Sequence, residues 1–208
     1  DGDSDRLMCV DENGVIRDGD YFLAAMARWL KNGNKLENNV LVSTVMANLG
    51  LMRAMKCEKI NIILSKVGDR YVLEDMRKHK SCLGGEQSGH FIFKNILTTG
   101  DGILSAIMLL GALCESGKTM SEFMEGIDKF PQVLINSKVE KKIPIEQLPE
   151  FHKLIKKYEK SLGQDGRILV RFSVTVNLLI VMVEGKNIEE IKKIAENLAS
   201  SVCKEVGC

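Results

Sequence analysis

The chain has 208 residues, of which 45% are apolar and 27% charged, enough to bury one large core or two smaller ones. Its 29 basic side chains nearly balance 28 acidic ones, for a net charge of +1. That balance leaves no field to steer nucleic acid or an anionic membrane, so neither is expected as a partner.

The first predicted element is a turn, Asp1-Gly2-Asp3-Ser4-Asp5-Arg6, followed by a helical repeat over Tyr21–Leu30 in which Phe22, Leu23, Met26 and Leu30 share one face. Val40–Val45 reads as a β-branched strand, Leu49–Met55 as a helix, Ile60–Leu64 as a strand and Tyr71–Arg77 as a helix. Such alternation predicts a partly parallel sheet with helices packed on it. The segment after Gly102 is apolar on every side (Ile103, Leu104, Ile107, Met108, Leu109, Leu110), which predicts a centrally buried helix. At about 103–114 it is too short to span a bilayer, which takes ~20 residues.

Beyond Asp128 the order changes to strand, helix, two strands, helix. Pro149 suits the first turn of a helix carrying Phe151, Leu154, Ile155, Tyr158 and Leu162, with Gly163 ending it. Arg167–Phe172 and Leu178–Val183 read as strands, and Asn187 with Glu190 resembles a capping box for the last helix. The expected fold class is therefore an α/β mixed-sheet domain followed by a smaller α+β domain. The expected boundaries are 1–14 for a segment belonging to a preceding domain, 15–127 for the first domain and 128–208 for the second. An opening on Asp1 rather than Met reads as a piece of a longer polypeptide. Six cysteines (Cys9, Cys57, Cys82, Cys114, Cys203, Cys208) show no C-x-x-C pair, and read as reduced thiols of a cytoplasmic protein.

Three stretches could carry chemistry. Asp1, Asp3 and Asp5 alternate, and carboxylates so close repel unless a cation gathers them; hard oxygens suit magnesium or calcium. An EF-hand start would use Glu12 too, but Arg6 stands where that loop needs glycine. A solvated acidic turn is the plain rival. Gly84-Gly85-Glu86-Gln87-Ser88-Gly89-His90 sets a carboxylate and a hydroxyl two residues apart in a glycine-framed turn, a pairing suited to sugar hydroxyls. It also fits a simple connection between strands. Val67-Gly68-Asp69-Arg70 opens a helix with a cation, and Thr98-Thr99-Gly100-Asp101-Gly102 reads as an N-cap.

Taken in order, DGDSDR, TVMANLGL, VGDRYVLEDMR, GGEQSGH, TTGDG and DGRILVRFS resemble the signature segments of the α-D-phosphohexomutase family, and most closely its bacterial phosphoglucosamine mutases. The resemblance implies the third and fourth domains of a four-domain enzyme, an isomerase of cytoplasmic amino-sugar metabolism that supplies cell-wall precursors. It implies Mg2+ on Asp1, Asp3 and Asp5, a phosphorylated hexosamine held by Glu86 and Ser88, and Arg70 in the active cleft. Transfer between O6 and O1 would pass through a phosphoserine and a bisphosphate intermediate. That serine belongs to N-terminal domains missing here, which become an expected partner; a homodimer is also left open. No catalytic nucleophile is expected in this chain, and the chain alone is expected to be inactive.

The resemblance breaks at the family's phosphate loop, Arg-x-Ser-Gly-Thr-Glu-Pro-x-x-Arg. Arg171, Ser173 and Thr175 are retained, but Val174, Val176, Asn177 and Ile180 replace the glycine, glutamate, proline and second arginine. Residues 168–183 then read as nearly unbroken β-forming sequence without a turn signal. A non-catalytic sugar-phosphate-binding or interaction module is the alternative these changes suggest.

Overall fold

Asp11 turns the chain at its first hairpin, where Cys9–Val10 (β1) and Ile16–Arg17 (β2) pair antiparallel. Its carboxylate accepts the N–H groups of Asn13 and Val15, each at 2.9 Å, and the Arg17 Nε at 2.8 Å. These bonds, that of Val15 foremost, hold the Asp11 carboxyl below the usual carboxylate range. The computed structural model describes residues 1–140, 142–173 and 177–206, which divide into two compact units, Asp1–Lys129 and Phe130–Cys208.

In the first unit Asp18 caps α1 (Gly19–Asn32) by accepting the Asp20 N–H. The predicted stripe is buried, but so are Ala24, Ala25 and Ala27, so α1 is wrapped on more than one side. Phe22 stacks on Phe91, with centroids 3.9 Å apart, and meets Phe93 edge-on. The sheet runs β4 (Asn61–Ser65), β3 (Val40–Thr44), β5 (Leu83–Gly85), β6 (Phe91–Phe93). β3 is parallel to β4 and β5, whereas β6 is antiparallel to β5. Helices α2 (Leu49–Cys57) and α3 (Asp69–Lys78) make the crossovers. Leu41 joins the core on the α1 side while Val40 and Val42 join Val72 and Met76 of α3 on the other. A strand covered on both faces is apolar throughout, which is why β3 reads as an unbroken run.

Helix α4 (Gly102–Ser116) departs from expectation. Only Gly102, Ser105, Leu109 and Ala112 are buried, while Ile103, Ile107 and Leu110 are 63%, 61% and 57% exposed. An all-round apolar helix was expected to be central; here one side packs on the unit and the other is bare. A short α5 (Met120–Phe123) follows with a full capping box.

The second unit is a three-stranded antiparallel sheet of order β7 (Gln132–Lys138), β9 (Leu178–Gly185), β8 (Gly166–Phe172), covered by α6 (Pro149–Leu162) and α7 (Ile188–Val206). Pro149 lies in the first turn of α6, and Gly163 ends it at φ 56°. Asn187 accepts the N–H groups of Glu189 and Glu190 at the start of α7. The run read as lacking a turn is two strands: Phe172 pairs with Leu179, and the Ser173 N–H bonds the Leu178 carbonyl at 2.8 Å. β9 also pairs with β7 on its far side, which makes it the central strand of this sheet. Cys9, Cys57, Cys82 and Cys114 are free as expected, but Cys203 is disulfide-bonded, against the expectation of reduced thiols throughout. No helix among the described residues is long and apolar enough to cross a membrane.

Candidate active site

The acidic turn is gathered in space as well as in sequence. One carboxylate oxygen from each of Asp1, Asp3 and Asp5 lies within 4.8 Å of the others. Ser4 takes a left-handed φ of 61°, which curls the backbone so that the flanking acids converge. Arg6 braces the cluster, its Nε 2.6 Å from Asp1 Oδ2 and 3.6 Å from Asp5 Oδ1. The Asp5 Oδ1 atom is buried and accepts no hydrogen bond. A buried carboxylate oxygen without a donor, beside two more carboxylates, is a donor set that fits a hard divalent cation. Glu12 takes no part in it: its carboxylate accepts both the Ser121 N–H and hydroxyl, which holds its pKa down at about 2. The EF-hand alternative ends there.

Two main-chain contacts tie this turn to the rest of the unit. The Leu7 N–H donates to the Gly89 carbonyl at 2.9 Å, and Arg6 bridges His90 as an isolated β-pair. On the other side the Gly102 N–H donates to Ser4 O at 2.8 Å. A Cβ at Gly102 would stand 2.5 Å from Arg6 O, and one at Gly89, where φ is 98°, would strike Leu7 O. These two glycines are positions where backbone must touch backbone.

The glycine-framed turn is the β5–β6 connection, as its plain reading held, yet its polar groups converge. Glu86 Oε1 accepts the Gly68 N–H at 2.8 Å, and Glu86 Oε2 accepts the Ser88 hydroxyl at 3.2 Å. The Val67–Arg70 motif thereby meets the Glu86–Ser88 motif. A cleft of about 410 Å³ opens over them, lined also by Met8, Asp18, Thr44 and Met46. Its volume and its mix of apolar wall and few polar groups suit a small polar ligand. Arg70 lies in the first turn of α3, 81% exposed in its side chain, with its Nε 3.0 Å from Glu74 Oε1. Arg171 and Ser173 lie in the second unit, where Ser173 O accepts the Lys142 ammonium at 2.8 Å. Thr175 falls outside the described residues. Asp101 is the N-cap of α4, accepting the Leu104 N–H at 2.8 Å, as its local reading held.

Sequence reasoning missed Asp18, Gly19, Asp20 and Lys129. Asp18 accepts the Gln87 amide at 3.2 Å and the Gly19 N–H donates to Gln87 O at 3.0 Å, so the start of α1 clamps the glycine-framed turn. The signal available was an Asp directly before an apolar helical repeat, which marks an N-cap but not what else it holds. Gly19→Ala would set its Cβ against Glu86 O and 2.8 Å from Gln87 O, both backbone atoms that cannot swing aside. We expect it to destabilise the unit by about 1–3 kcal/mol, read from urea unfolding by Trp29 fluorescence. Trp29, the single tryptophan, reports on this unit alone.

Comparison with known proteins is consistent across the chain. Residues 18–130 match the family model for the phosphoglucomutase/phosphomannomutase α/β/α domain III, and 134–201 match that for the C-terminal domain. The phosphoglucosamine mutase of Syntrophobacter fumaroxidans is 49% identical, and that of Bacillus pumilus 47%, over 100% of this chain and 46% of each relative. The chain thus spans about half the length of the curated relatives it matches, in their C-terminal part. Among solved structures, the N-acetylphosphoglucosamine mutase of Aspergillus fumigatus, crystallised with GlcNAc-6P and magnesium, superposes with a TM-score of 0.78 at 22% identity. That superposition covers 97% of this chain and 51% of that one. A phosphoglucomutase/phosphomannomutase family protein of Burkholderia thailandensis gives 0.72 at 22%, over 98% of this chain and 45% of that one. At such identity both show the shared fold alone. The chain therefore belongs to the phosphoglucomutase/phosphomannomutase family, of which it carries the α/β/α domain III and the C-terminal domain.

Proposed function

We propose that the chain is the substrate-gripping C-terminal part of a phosphoglucosamine mutase, which interconverts glucosamine-6-phosphate and glucosamine-1-phosphate. The observation that carries this is the join between the acidic turn and the Glu86–Ser88 turn through Leu7–Gly89 and Arg6–His90. A cation-binding turn and a hydroxyl-recognising turn then border one face, as transfer of a sugar phosphate requires. Cytoplasmic amino-sugar metabolism leading to cell-wall precursors is the setting of this activity.

Within that scheme each residue has a chemical task. Glu86 is held by the Gly68 N–H and by Ser88, so its remaining lone pairs are aimed and free to accept sugar hydroxyls. Met8 and Met46 supply apolar wall for the ring's C–H edges. Arg70 would add a cation beside the Gly68 turn; Arg171, Ser173 and Thr175, retained from the family's phosphate loop, would contact a phosphate. Asp1, Asp3 and Asp5 would hold magnesium, which when bound neutralises charge on the transferred phosphoryl oxygens. Arg6 keeps the acidic turn shaped through its contacts to Asp1 and Asp5. The phosphoserine that carries the group, and the walls that shield the bisphosphate intermediate from water, would come from N-terminal domains.

The purified chain should not turn over glucosamine-6-phosphate with a glucose-1,6-bisphosphate activator, and the N-terminal half of a relative should restore turnover in trans. Turnover by the chain alone would refute its inactivity. A complex that assembles, binds the sugar phosphate and stays silent would favour the alternative of a non-catalytic sugar-phosphate-binding module, which the altered residues 174–180 suggest. Asp5→Asn tests the metal assignment separately. It should weaken Mn2+ binding, measured by calorimetry, about tenfold or more, because it removes one charged ligand. Equal affinity in the variant would place the ion elsewhere.

A further inference from the structure

The bare face of α4 is covered by no other described residue of its own unit. Ile103, Ile107, Leu110, Gly111 and Cys114 are all exposed and fall at helical spacing, and no charged residue occurs between Ile103 and Cys114. Gly111 has open space where a side chain would be, room for another backbone to come close. A helix that meets water permanently carries polar residues on that side. A second bare element stands next in sequence to the acidic turn: β1 and β2 pair only with each other among the described residues, and Val10 and Ile16 on them, with Met8 and Val15 just before each, are exposed. A lone two-stranded hairpin is marginal unless further strands or a helix cover it.

The position of the acidic turn joins these two observations. Ser4 O accepts the Gly102 N–H at the first residue of α4, so the residues that lead into the hairpin also abut the base of the stripe. The matched part is the C-terminal 46% or so of the Syntrophobacter fumaroxidans and Bacillus pumilus relatives. Polypeptide entering at Asp1 would arrive beside α4 and the hairpin together.

We propose that the Ile103–Ile107–Leu110 face of α4 is the seat for the N-terminal half of the enzyme, docked as an apolar surface packed over Gly111. This rests on the mutase reading, and names the contact by which the missing domains would be held. The exposed thiols make it measurable. Cys114 lies on the stripe and Cys57 on α2, whereas Cys9 is buried and burial pushes its pKa up to about 11, which keeps it unreactive.

The experiment mixes the whole chain with the N-terminal half of the Bacillus pumilus relative, or in parallel that of Syntrophobacter fumaroxidans, and maps maleimide labelling by peptide mass. Labelling of Cys114 should slow at least tenfold in the complex while that of Cys57 does not change. Ile107→Glu should weaken the complex at least about tenfold with Trp29 fluorescence unaltered. The proposal is overturned if neither half binds, if a complex forms with Cys114 still open, or if the variant binds as well as the parent. It is overturned too if the chain alone dimerises at micromolar concentration with Cys114 protected, since the occupant is then a second copy. Protection without turnover would refute the mutase reading and leave this seat standing; turnover without protection would do the reverse.

Discussion

Lys129→Met is expected to destabilise the first unit by about 3–5 kcal/mol at pH 7 and by far less near pH 4. Asp20 has a fully buried side chain, accepts the Asn48 N–H at 3.1 Å, and has an Oδ1 without a hydrogen-bond partner. Lys129 Nζ stands 3.1 Å from Asp20 Oδ2 and also pairs with Asp18. Burial raises the Asp20 pKa, Lys129 opposes that rise, and the Asp18 charge adds to it.

A raised pKa means the folded state keeps a proton that the unfolded chain has released. Stability therefore falls as pH climbs from the ordinary carboxylate value, ~3.9, to the raised one. Without Lys129 the raised value climbs further, so the cost of the substitution grows with pH. Urea unfolding followed by Trp29 fluorescence at pH 4 and pH 7 gives the comparison. An equal loss at both values would show that the ammonium does not serve Asp20. On an Asp20→Asn background the pH dependence should shrink to the part carried by the Lys129–Asp18 pair. The contact of Lys129 with the Tyr21 ring, 5.3 Å to its centroid, adds a small part that does not vary with pH.

Phe22→Ala should cost about 3–5 kcal/mol, the range for emptying a fully buried aromatic site. The stack on Phe91 makes this loss more than local, because Phe91 opens the strand that follows His90. The Glu86–His90 turn should become cleavable by a protease at concentrations that leave the parent intact. Phe22→Leu keeps most of the volume and should cost less than half as much. Similar losses for Ala and Leu would mean that the ring stack, absent from both variants, carries the effect rather than the buried volume.

Much of the fold is legible because the forces that make single elements act over a few residues. The repeat of Phe22, Leu23, Met26 and Leu30, the cap at Asp101 and the opening Pro149 each state their structure within one turn of chain. The alternating order of elements in the first unit, and the strand–helix–strand–strand–helix order of the second, follow from the same local patterns. The two candidate turns were legible for a related reason: alternating carboxylates and glycine-framed polar residues are costly unless something uses them.

Other features depend on residues far apart in sequence. Apolar composition cannot say which side of α4 will be covered, since burial is decided by what packs against it. The two apolar runs 167–172 and 178–183 do not state their neighbours: β9 pairs with β8 on one side and β7 on the other. Asp20 looks like an ordinary first-turn acid until Lys129 and Asn48 are brought to it. By itself the sequence determined the larger helices and strands, their order and the chemical character of the acidic and glycine-framed turns. Tertiary structure alone decided which turns meet, which acid is buried and which apolar face stays bare, because those outcomes are set by contacts between segments that no short-range preference can specify.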